Sequence, residues 1–321
     1  MRGKSKGSVN VIIRVEVNGI LAVPSRAATC SRQAGTAPSE RFNSPASPDY
    51  PTRVVVTAGL SSSAFAAADL FSLRGCRALV TGSGQGIGLT LARGLAVAGA
   101  ELVLNDIDPA RLEQAVATLT ADGFTATGRV FDVTDAAAVA AGLSDFTAAS
   151  GPGIDILINN AGIHRRAPLE SMPLALWQAV IDVNLTSAFL VSRAVVPGML
   201  QRGRGKIINI CSLNAEISRP TIANYAAAKG GLKMLTRAMA VEWGGRNIQA
   251  NGISPGYMRT DMTGVLTVDP EFDRYIRART PAGRWGEPRE LIGAAVFLSA
   301  RASDFMNGQI LFVDGGLLSA L

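Results

Sequence analysis

Histidine and cysteine are scarce in this sequence, and their scarcity excludes several kinds of site. The chain of 321 residues has one histidine, His164, which leaves little to build a histidine-rich metal site or a Ser-His-Asp triad. The cysteines, Cys30, Cys76 and Cys211, have no metal-ligand spacing and are too few for a disulfide framework. We therefore expect no metal site, and a reducing, cytoplasmic setting.

Long apolar runs and a one-sided charge are also missing from most of the chain. Apolar residues make up 48% of it, which favours a sizeable core, but no uninterrupted apolar run approaches the roughly 20 residues of a membrane span. Most of the net charge of +6 comes from residues 1–68, which hold eight of the 31 Lys and Arg but three of the 25 Asp and Glu. The remainder is nearly neutral, so neither a membrane nor nucleic acid is expected as a partner.

Residues 1–68 differ in composition from the rest of the chain. The stretch 24–51 is rich in Ser, Pro, Ala and Arg and is predicted to be disordered, while 9–23 alternates weakly and could form a strand. The segment could be a targeting peptide, a flexible arm, or an upstream extension without a folded role. We favour the last, because Asp69 opens a complete domain without it.

From residue 69 to 321 the pattern alternates short apolar strands with helices. Strands are predicted at 77–81, 101–105, 125–133, 154–159, 206–211, 248–254 and 309–313. Helices are predicted at 86–98, 109–121, 135–149, 174–201, 222–244 and 288–300. This order indicates one α/β domain of the Rossmann type, a doubly wound parallel sheet of seven strands with helices on both faces.

A glycine-rich loop joins the first strand to the first long helix. Glycines at such a place let the backbone turn sharply and approach a pyrophosphate, which then faces the positive end of the helix. A merely tight turn is the alternative. The loop residues expected to bind a dinucleotide are Gly82, Ser83, Gln85, Gly86, Ile87 and Gly88.

The ends of the next strands carry polar residues suited to the rest of a dinucleotide. Asp106 ends the second strand, where a carboxylate accepts from both ribose hydroxyls of NAD(H) and repels the extra phosphate of NADP(H); alternatively it caps the next helix. Asp132 and Val133 end the third strand beside the expected adenine. NAD(H) is therefore the preferred cofactor, with NADP(H) possible.

The fourth strand ends in a short run of small and amide residues. Ala161 and Gly162 would let the backbone lie against the cofactor. Asn159 could contact the cofactor with them, but it and Asn160 could equally brace neighbouring strands. Both interpretations stay open at this stage.

Tyr225 and Lys229 are four residues apart in a predicted helix and therefore share one face. A tyrosine hydroxyl is a poor base at neutral pH, but a neighbouring ammonium favours the phenolate. Tyr225 could then exchange a proton with an alcohol or ketone while hydride moves. Ser212, at the end of the fifth strand, could hold the substrate oxygen. Such a Tyr–Lys pair also occurs by chance on surface helices.

These residues together resemble the short-chain dehydrogenase/reductase superfamily over 69–321. The resemblance implies that Asn184 holds a water that links Lys229 to solvent, and that Lys229 also bonds the nicotinamide ribose. It further implies homotetramers or homodimers built through the two long helices, and a nicotinamide side lined by Pro255, Gly256 and Thr260. The matching positions are the loop 81–88, the run 159–162, Asn184, Ser212, Tyr225, Lys229 and Pro255-Gly256.

A narrower resemblance is to gluconate 5-dehydrogenases, also called 5-keto-D-gluconate reductases. It lies in the runs 71–73, 160–166, 208–212, 255–257 and 279–286. His164 and Asn214 stand where that family usually has glutamine. Some members carry arginines near the second strand and use NADP(H), so Asp106 departs from them.

A sugar-acid substrate implied by this resemblance agrees loosely with the residues near the expected catalytic edge. Arg165 and Arg166 come after a strand end and could clamp a carboxylate, or could be a solvated pair. Glu216 and Asn214 could contact sugar hydroxyls near Ser212 and Tyr225, and 258–280 could form a helical lid. Another polyol, a 3-oxoacyl thioester or a steroid is an alternative substrate, and a non-catalytic dinucleotide-binding protein is a remote alternative.

Overall fold

The computed structural model describes residues 67–147, 153–260 and 263–320. The first element is a short helix, α1 (Ala67–Leu70), which spans the expected start of the folded domain at residue 69. The predicted disorder at 24–51 and the weak strand at 9–23 lie outside the described residues.

Seven parallel strands form one sheet, as the sequence predicted. In the sheet they stand in the order β3-β2-β1-β4-β5-β6-β7, so the chain starts in the middle, moves to one edge, and then crosses to the other. This is the doubly wound arrangement. The strands are β1 (Arg77–Val80), β2 (Glu101–Asp106), β3 (Ala126–Val130), β4 (Ile156–Asn159), β5 (Gly205–Ile210), β6 (Ile248–Pro255) and β7 (Ile310–Val313).

The helices lie at the predicted positions with two interruptions. The stretch predicted at 135–149 is two short helices that break at Leu143, and the one predicted at 174–201 contains a π-helical turn at Asp182–Thr186. The long helices are α2 (Gly86–Val97), α3 (Pro109–Ala121), α6 (Leu174–Ile181), α7 (Ser187–Arg202), α8 (Ala223–Trp243), α10 (Pro270–Arg279) and α11 (Ile292–Ser299), and the short ones are α4 (Ala136–Gly142), α5 (Ser144–Thr147) and α9 (Gly264–Thr267).

Both faces of the sheet are covered by apolar side chains, because neighbouring residues of a strand point to opposite faces. Val80 joins the core under α2, α3 and α11, whereas Leu79 joins the core under α4, α7 and α8. All residues of β4, β5 and β6 are buried, which explains why these strands lack polar alternation.

The segment Leu174–Arg202, which runs through α6, the π turn and α7, is the one helix in the described part that is long and apolar enough to cross a membrane. Length and composition alone are weak evidence, since a core helix of a soluble protein passes the same test. Here α7 packs against β4 and β5, yet only 28% of the most apolar window is buried. Much of its apolar surface therefore faces outward.

Candidate active site

The carboxyl ends of the parallel strands meet at one edge of the sheet, and a cavity of about 420 Å³ opens there. Most residues that the sequence proposed for cofactor and catalysis line this cavity. They are Gly82, Gln85, Gly86, Ile87, Gly88, Asp106, Asp132, Val133, Ala161, Gly162, Asn184, Ser212, Tyr225, Lys229, Pro255, Gly256 and Thr260.

The glycine loop has the conformation that its residues predict. Gly82 and Gly86 have φ angles of 59° and 61°, in the left-handed region that favours glycine. A side chain at Gly88 would collide with the Gly82 carbonyl, so the loop closes tightly onto the start of α2.

Ser83 is a correction to the predicted cofactor set. Its hydroxyl is fully buried and donates to the Val80 carbonyl at 2.8 Å, and it accepts from the Asn105 amide at 3.1 Å. Ser83 does not line the cavity but fastens the loop to β1 and β2. Its place between the two glycines gave no sequence signal for this role.

The first turn of α2 fits a bound phosphate. Its N-cap residue, Gln85, makes no side-chain capping bond, and no acidic residue lies in the first turn. The N–H groups that a capping side chain would satisfy are therefore available to a ligand, and the helix dipole favours an anion there. Together with the glycine loop, this indicates that the residues present fit the pyrophosphate of a dinucleotide.

Asp106 ends β2 inside the cavity, but its carboxylate is more engaged than the sequence suggested. It accepts from the backbone N–H groups of Gly84 and Asp108, both at 3.0 Å, and from the Arg111 guanidinium at 2.9 Å. The cap of α3 is Asp108, which accepts from Ala110 and Arg111, so the alternative capping role for Asp106 is wrong.

Arg111 is a lining residue that the sequence analysis missed. It lies five positions after Asp106, one turn into α3, and its side chain reaches back to that carboxylate. No arginine follows Asp106 directly in the sequence, but Arg111 lies about one helical turn further along the chain, and this spacing is the signal that points to it.

The two asparagines after β4 have different roles. Asn159 is buried, and its Nδ2 donates to Ser192 Oγ at 3.1 Å and to Asn209 Oδ1 at 2.8 Å. It does not line the cavity, so its placement in the cofactor set is corrected to strand bracing. Asn160 does line the cavity, and its Nδ2 donates to the carbonyls of Thr81 and Gly82, both at 2.9 Å.

Ser212 and Lys229 meet at the end of β5. The Lys229 ammonium donates to the Ile210 carbonyl at 2.7 Å, while the Ser212 hydroxyl accepts from the Asn214 amide at 3.1 Å. Tyr225 lies one turn before Lys229 on α8, with 5.8 Å between the Lys229 Nζ and the centre of its ring. The three side chains thus face one part of the cavity.

The electrostatics of this group differ from the simple expectation. Burial raises the pKa of Tyr225, and a hydrogen bond from the Ser212 hydroxyl offsets this in part. Burial also lowers the pKa of Lys229 to about 8. A nearby ammonium is expected to lower the pKa of Tyr225. In the protein alone, desolvation raises this pKa by more than the ammonium lowers it.

Asn184 lies in the π turn between α6 and α7, not in the regular helix that the sequence predicted. Its Nδ2 donates to the carbonyls of Ile163 and Val180 at 2.9 and 3.0 Å. Its Oδ1 is buried, has no hydrogen-bond partner among the described residues, and lies beside Gly162. An acceptor held in this way suits a water molecule, and π turns often occur at functional sites.

Of the side chains proposed for the substrate, Ser212 and Tyr225 line the cavity, whereas Arg165, Arg166, Asn214 and Glu216 do not. Arg165 and Arg166 are exposed, and Arg165 reaches only the His164 carbonyl, at 3.4 Å. Glu216 forms an ion pair with Lys233, and Asn214 Nδ2 donates to the Ile217 carbonyl at 3.3 Å. Contact of these four side chains with the substrate stays a prediction, and their loops lie at the expected edge of the sheet.

Aromatic side chains pack beside Tyr225 and after the end of β6. The rings of His164 and Tyr225 lie 4.7 Å apart, and Tyr257 packs edge-on against Phe272 and Trp285. Phe272 belongs to α10, which lies in the segment predicted as a helical lid. No group of three or more His, Cys, Asp or Glu side chains able to hold a metal occurs in the described part of the chain.

The contrast between Asn159 and Asn160 gives a test. Asn159→Ala is expected to lower the free energy of unfolding by about 1–3 kcal/mol, because buried partners lose their bonds, with dinucleotide affinity unchanged. Asn160→Ala is expected to weaken dinucleotide binding about tenfold, because the glycine loop loses two bonds. Urea unfolding and fluorescence titration with the reduced dinucleotide measure these effects. Equal losses of dinucleotide affinity would contradict the assignment.

Comparisons with known proteins agree with this geometry. A family model described as enoyl-(acyl carrier protein) reductase matches residues 82–318. Gluconate 5-dehydrogenase of Gluconobacter oxydans (strain 621H) is 54% identical over 253 residues, 79% of this chain and 98% of that protein. The 5-keto-D-gluconate 5-reductase of Escherichia coli (strain K12) is 53% identical, over 79% of this chain and 99% of that protein.

A crystal structure of a gluconate 5-dehydrogenase from Burkholderia cenocepacia J2315 in complex with NADP and tartrate is also similar. It matches with a TM-score of 0.77 and 53% identity, covering 80% of this chain and 100% of that one. The chain belongs to the short-chain dehydrogenase/reductase family, and it is similar to gluconate 5-dehydrogenases over most of its length.

Proposed function

We propose that the protein is an NAD(P)-dependent oxidoreductase that interconverts D-gluconate and 5-keto-D-gluconate. The observation that carries the proposal is the meeting of Ser212, Tyr225 and Lys229 in the cavity whose other end is the open first turn of α2. The similarity to enzymes named for this reaction supports the substrate. We further propose that residues 69–321 are the catalytic domain.

The cofactor supplies the acceptor or donor of hydride. Gly82, Gln85 and Gly86 would hold its pyrophosphate, while Pro255, Gly256 and Thr260 would lie at the nicotinamide, where each lines the cavity. The protein's own part in the reaction is to bind and orient the sugar acid and to move one proton.

Tyr225 exchanges that proton with the oxygen on carbon 5 of the substrate. In oxidation the carbon–hydrogen bond breaks with its electron pair leaving as hydride, and the hydroxyl proton passes to the Tyr225 oxygen. In reduction both move back. Ser212 holds the substrate oxygen, and Lys229 and the Asn184 Oδ1 lead the proton toward solvent. Burial raises the pKa of the nearby Cys211 to about 11, so this residue stays a neutral thiol.

The raised pKa of Tyr225 keeps its hydroxyl protonated at neutral pH in the protein alone. A protonated tyrosine is ready to donate to a ketone, whereas oxidation needs the phenolate. Positive charge on the bound oxidised nicotinamide lowers this pKa. We therefore propose that reduction is efficient near pH 7 and that oxidation increases as the pH rises.

Steady-state kinetics with D-gluconate and 5-keto-D-gluconate test this proposal. Turnover of both is expected, with the rate of oxidation rising from pH 7 to pH 10. Tyr225→Phe is expected to lower kcat by about 100-fold or more, with dinucleotide affinity retained, because only the proton donor is lost.

Three other outcomes would count against the proposal. If the enzyme turned over another polyol, a 3-oxoacyl thioester or a steroid but not gluconate, the proposed reaction type would be retained and the proposed substrate rejected. Dinucleotide binding without turnover of any of these would favour the non-catalytic alternative. A Tyr225→Phe variant with unchanged kcat would exclude the proposed proton donor.

For the cofactor, we propose that Asp106 favours NAD(H) while Arg111 also admits NADP(H). A carboxylate has about four acceptor positions, and Asp106 already uses three of them on Gly84, Asp108 and Arg111, so one remains for a ribose hydroxyl. The Arg111 side chain is 41% exposed and lines the same cavity, where it could pair with the extra phosphate. The similar Burkholderia enzyme was crystallised with NADP.

Substitution of Arg111 tests this division. Arg111→Met is expected to lower kcat/KM for NADP⁺ about 10- to 100-fold, because a charge-assisted bond to phosphate is lost, and to change that for NAD⁺ little. Arg93→Met is the matched control, since Arg93 pairs with Asp122 and is absent from the lining. An equal loss for both cofactors would contradict the role of Arg111.

We also propose a homotetramer or homodimer that forms through α7 and α8. Phe189 on α7 is 45% exposed, and Val241 on α8 is 86% exposed, which is typical of an interface. Sedimentation equilibrium of the full chain is expected to give a mass two or four times that of one chain, falling in Val241→Lys. A monomer at micromolar concentration would exclude the assembly. We propose a cytoplasmic location, which the scarcity of cysteines suggests; the described ones, Cys76 and Cys211, are unpaired.

A further inference from the structure

The loop between β5 and α8 carries an arginine, Arg219, that the sequence analysis did not single out. Its guanidinium lies over the ring of Phe272, with 5.4 Å from Cζ to the ring centre. Its Nε is buried and has no hydrogen-bond partner among the described residues. A buried N–H that lacks an acceptor is destabilising, so a ligand or a water molecule that accepts from this group would stabilise it.

Arg219 lies close enough to His164 and Tyr257 for its charge to act on both. Burial lowers the pKa of His164, and the charge of Arg219 lowers it further. Burial raises the pKa of Tyr257, and the charge of Arg219 opposes that rise. The His164 ring in turn lies 4.7 Å from that of Tyr225. His164 thus contacts the Tyr225 ring and also experiences the charge of the guanidinium.

The backbone near Arg219 is held in an unfavourable conformation. Thr221 has a φ of 73°, which is a genuine outlier for a β-branched residue. Its carbonyl accepts from the Ala167 amide at 3.1 Å, which ties this loop to the segment after β4. Strain of this kind persists where the surrounding structure fixes a functional geometry.

The nearby acidic residue on the loop does not compete for Arg219. Glu216 is paired with Lys233 on α8. Among the described residues no carboxylate forms an ion pair with Arg219, so its charge is available to an anion in the cleft.

We propose that Arg219 binds the carboxylate of the sugar acid and so sets the enzyme's preference for acidic substrates. This inference rests on the proposed function. In 5-keto-D-gluconate four carbon–carbon bonds separate the reacting carbonyl from the carboxylate, so the anion must lie some distance from Tyr225. Arg219, whose charge acts on the His164 ring that contacts Tyr225, is proposed to meet it there. The planar guanidinium binds a carboxylate through two parallel bonds, and Phe272 from α10 covers its face.

The test compares D-gluconate with its neutral amide, D-gluconamide, in the full chain. Arg219→Met keeps the length and apolar contact of the side chain. It is expected to lower kcat/KM for gluconate about 10- to 100-fold, mostly through KM, and to change that for the amide less than about threefold. Arg219→Lys is expected to recover part of the loss, because it keeps the charge but not the two-bond geometry.

Two further variants complete the comparison. Arg93→Met controls for loss of an exposed cation and is expected to behave as the unaltered enzyme. Arg165→Met examines the rival arginine: a selective loss for gluconate in this variant, with none in Arg219→Met, would overturn the proposal. Equal losses for gluconate and the amide in Arg219→Met would also overturn it, since they would indicate a structural role.

A binding measurement separates this inference from the proposed function. Calorimetric titration of the dinucleotide-loaded enzyme with gluconate and with tartrate does not depend on turnover. Suppose that the enzyme does not oxidise gluconate but that Arg219→Met binds both anions more weakly. The role of Arg219 as the carboxylate site would then be supported, and gluconate would be rejected as the substrate. Unchanged anion binding by Arg219→Met would reject Arg219.

Discussion

The hydrogen bond from the Lys229 ammonium to the Ile210 carbonyl is the interaction on which the site depends. It joins α8 to the end of β5 inside the core, and so fixes the height and rotation of the helix against the sheet. Tyr225 lies one turn before Lys229, and Ser212 lies two residues after Ile210. This one buried contact therefore brings Tyr225 and Ser212 close together. Neither side chain forms a hydrogen bond to the sheet itself.

A second set of polar contacts holds the dinucleotide side. Asn160 fastens the glycine loop to β4, Ser83 fastens it to β1 and β2, and Asn159 joins β4 to β5. In each case a side chain satisfies backbone or amide groups that would otherwise be buried without partners. The cavity can then expose the remaining N–H groups at the start of α2, because the loop around them is rigid.

The sequence predicted the parts of the molecule that depend on local pattern. The seven strands, the glycine loop and the spacing of Tyr225 and Lys229 come from periodicity, backbone freedom and helical geometry. Family resemblance placed Asn184, but nothing local predicted that it would sit in a π turn.

Side-chain direction was less predictable. Asn159 and Asn160 are adjacent and chemically identical, yet they point to opposite sides because neighbouring residues alternate. Arg165 was proposed for its place after a strand, whereas Arg219, nine residues past the end of β5, turns inward because Phe272 from a distant helix packs on it. Contacts between segments far apart in sequence decide such cases, and one sequence does not show them.

The π turn at Asp182–Thr186 has a consequence for the length of its helix. It accommodates one residue more than a regular turn, and each added residue rotates the later part of the helix by about 100° about the axis. Val191 and Val195 face the sheet only because that extra rotation precedes them. The number of residues between α6 and α7 is thus as constrained as their identity, since a helix made regular by losing one of them would turn its apolar side away from β4 and β5.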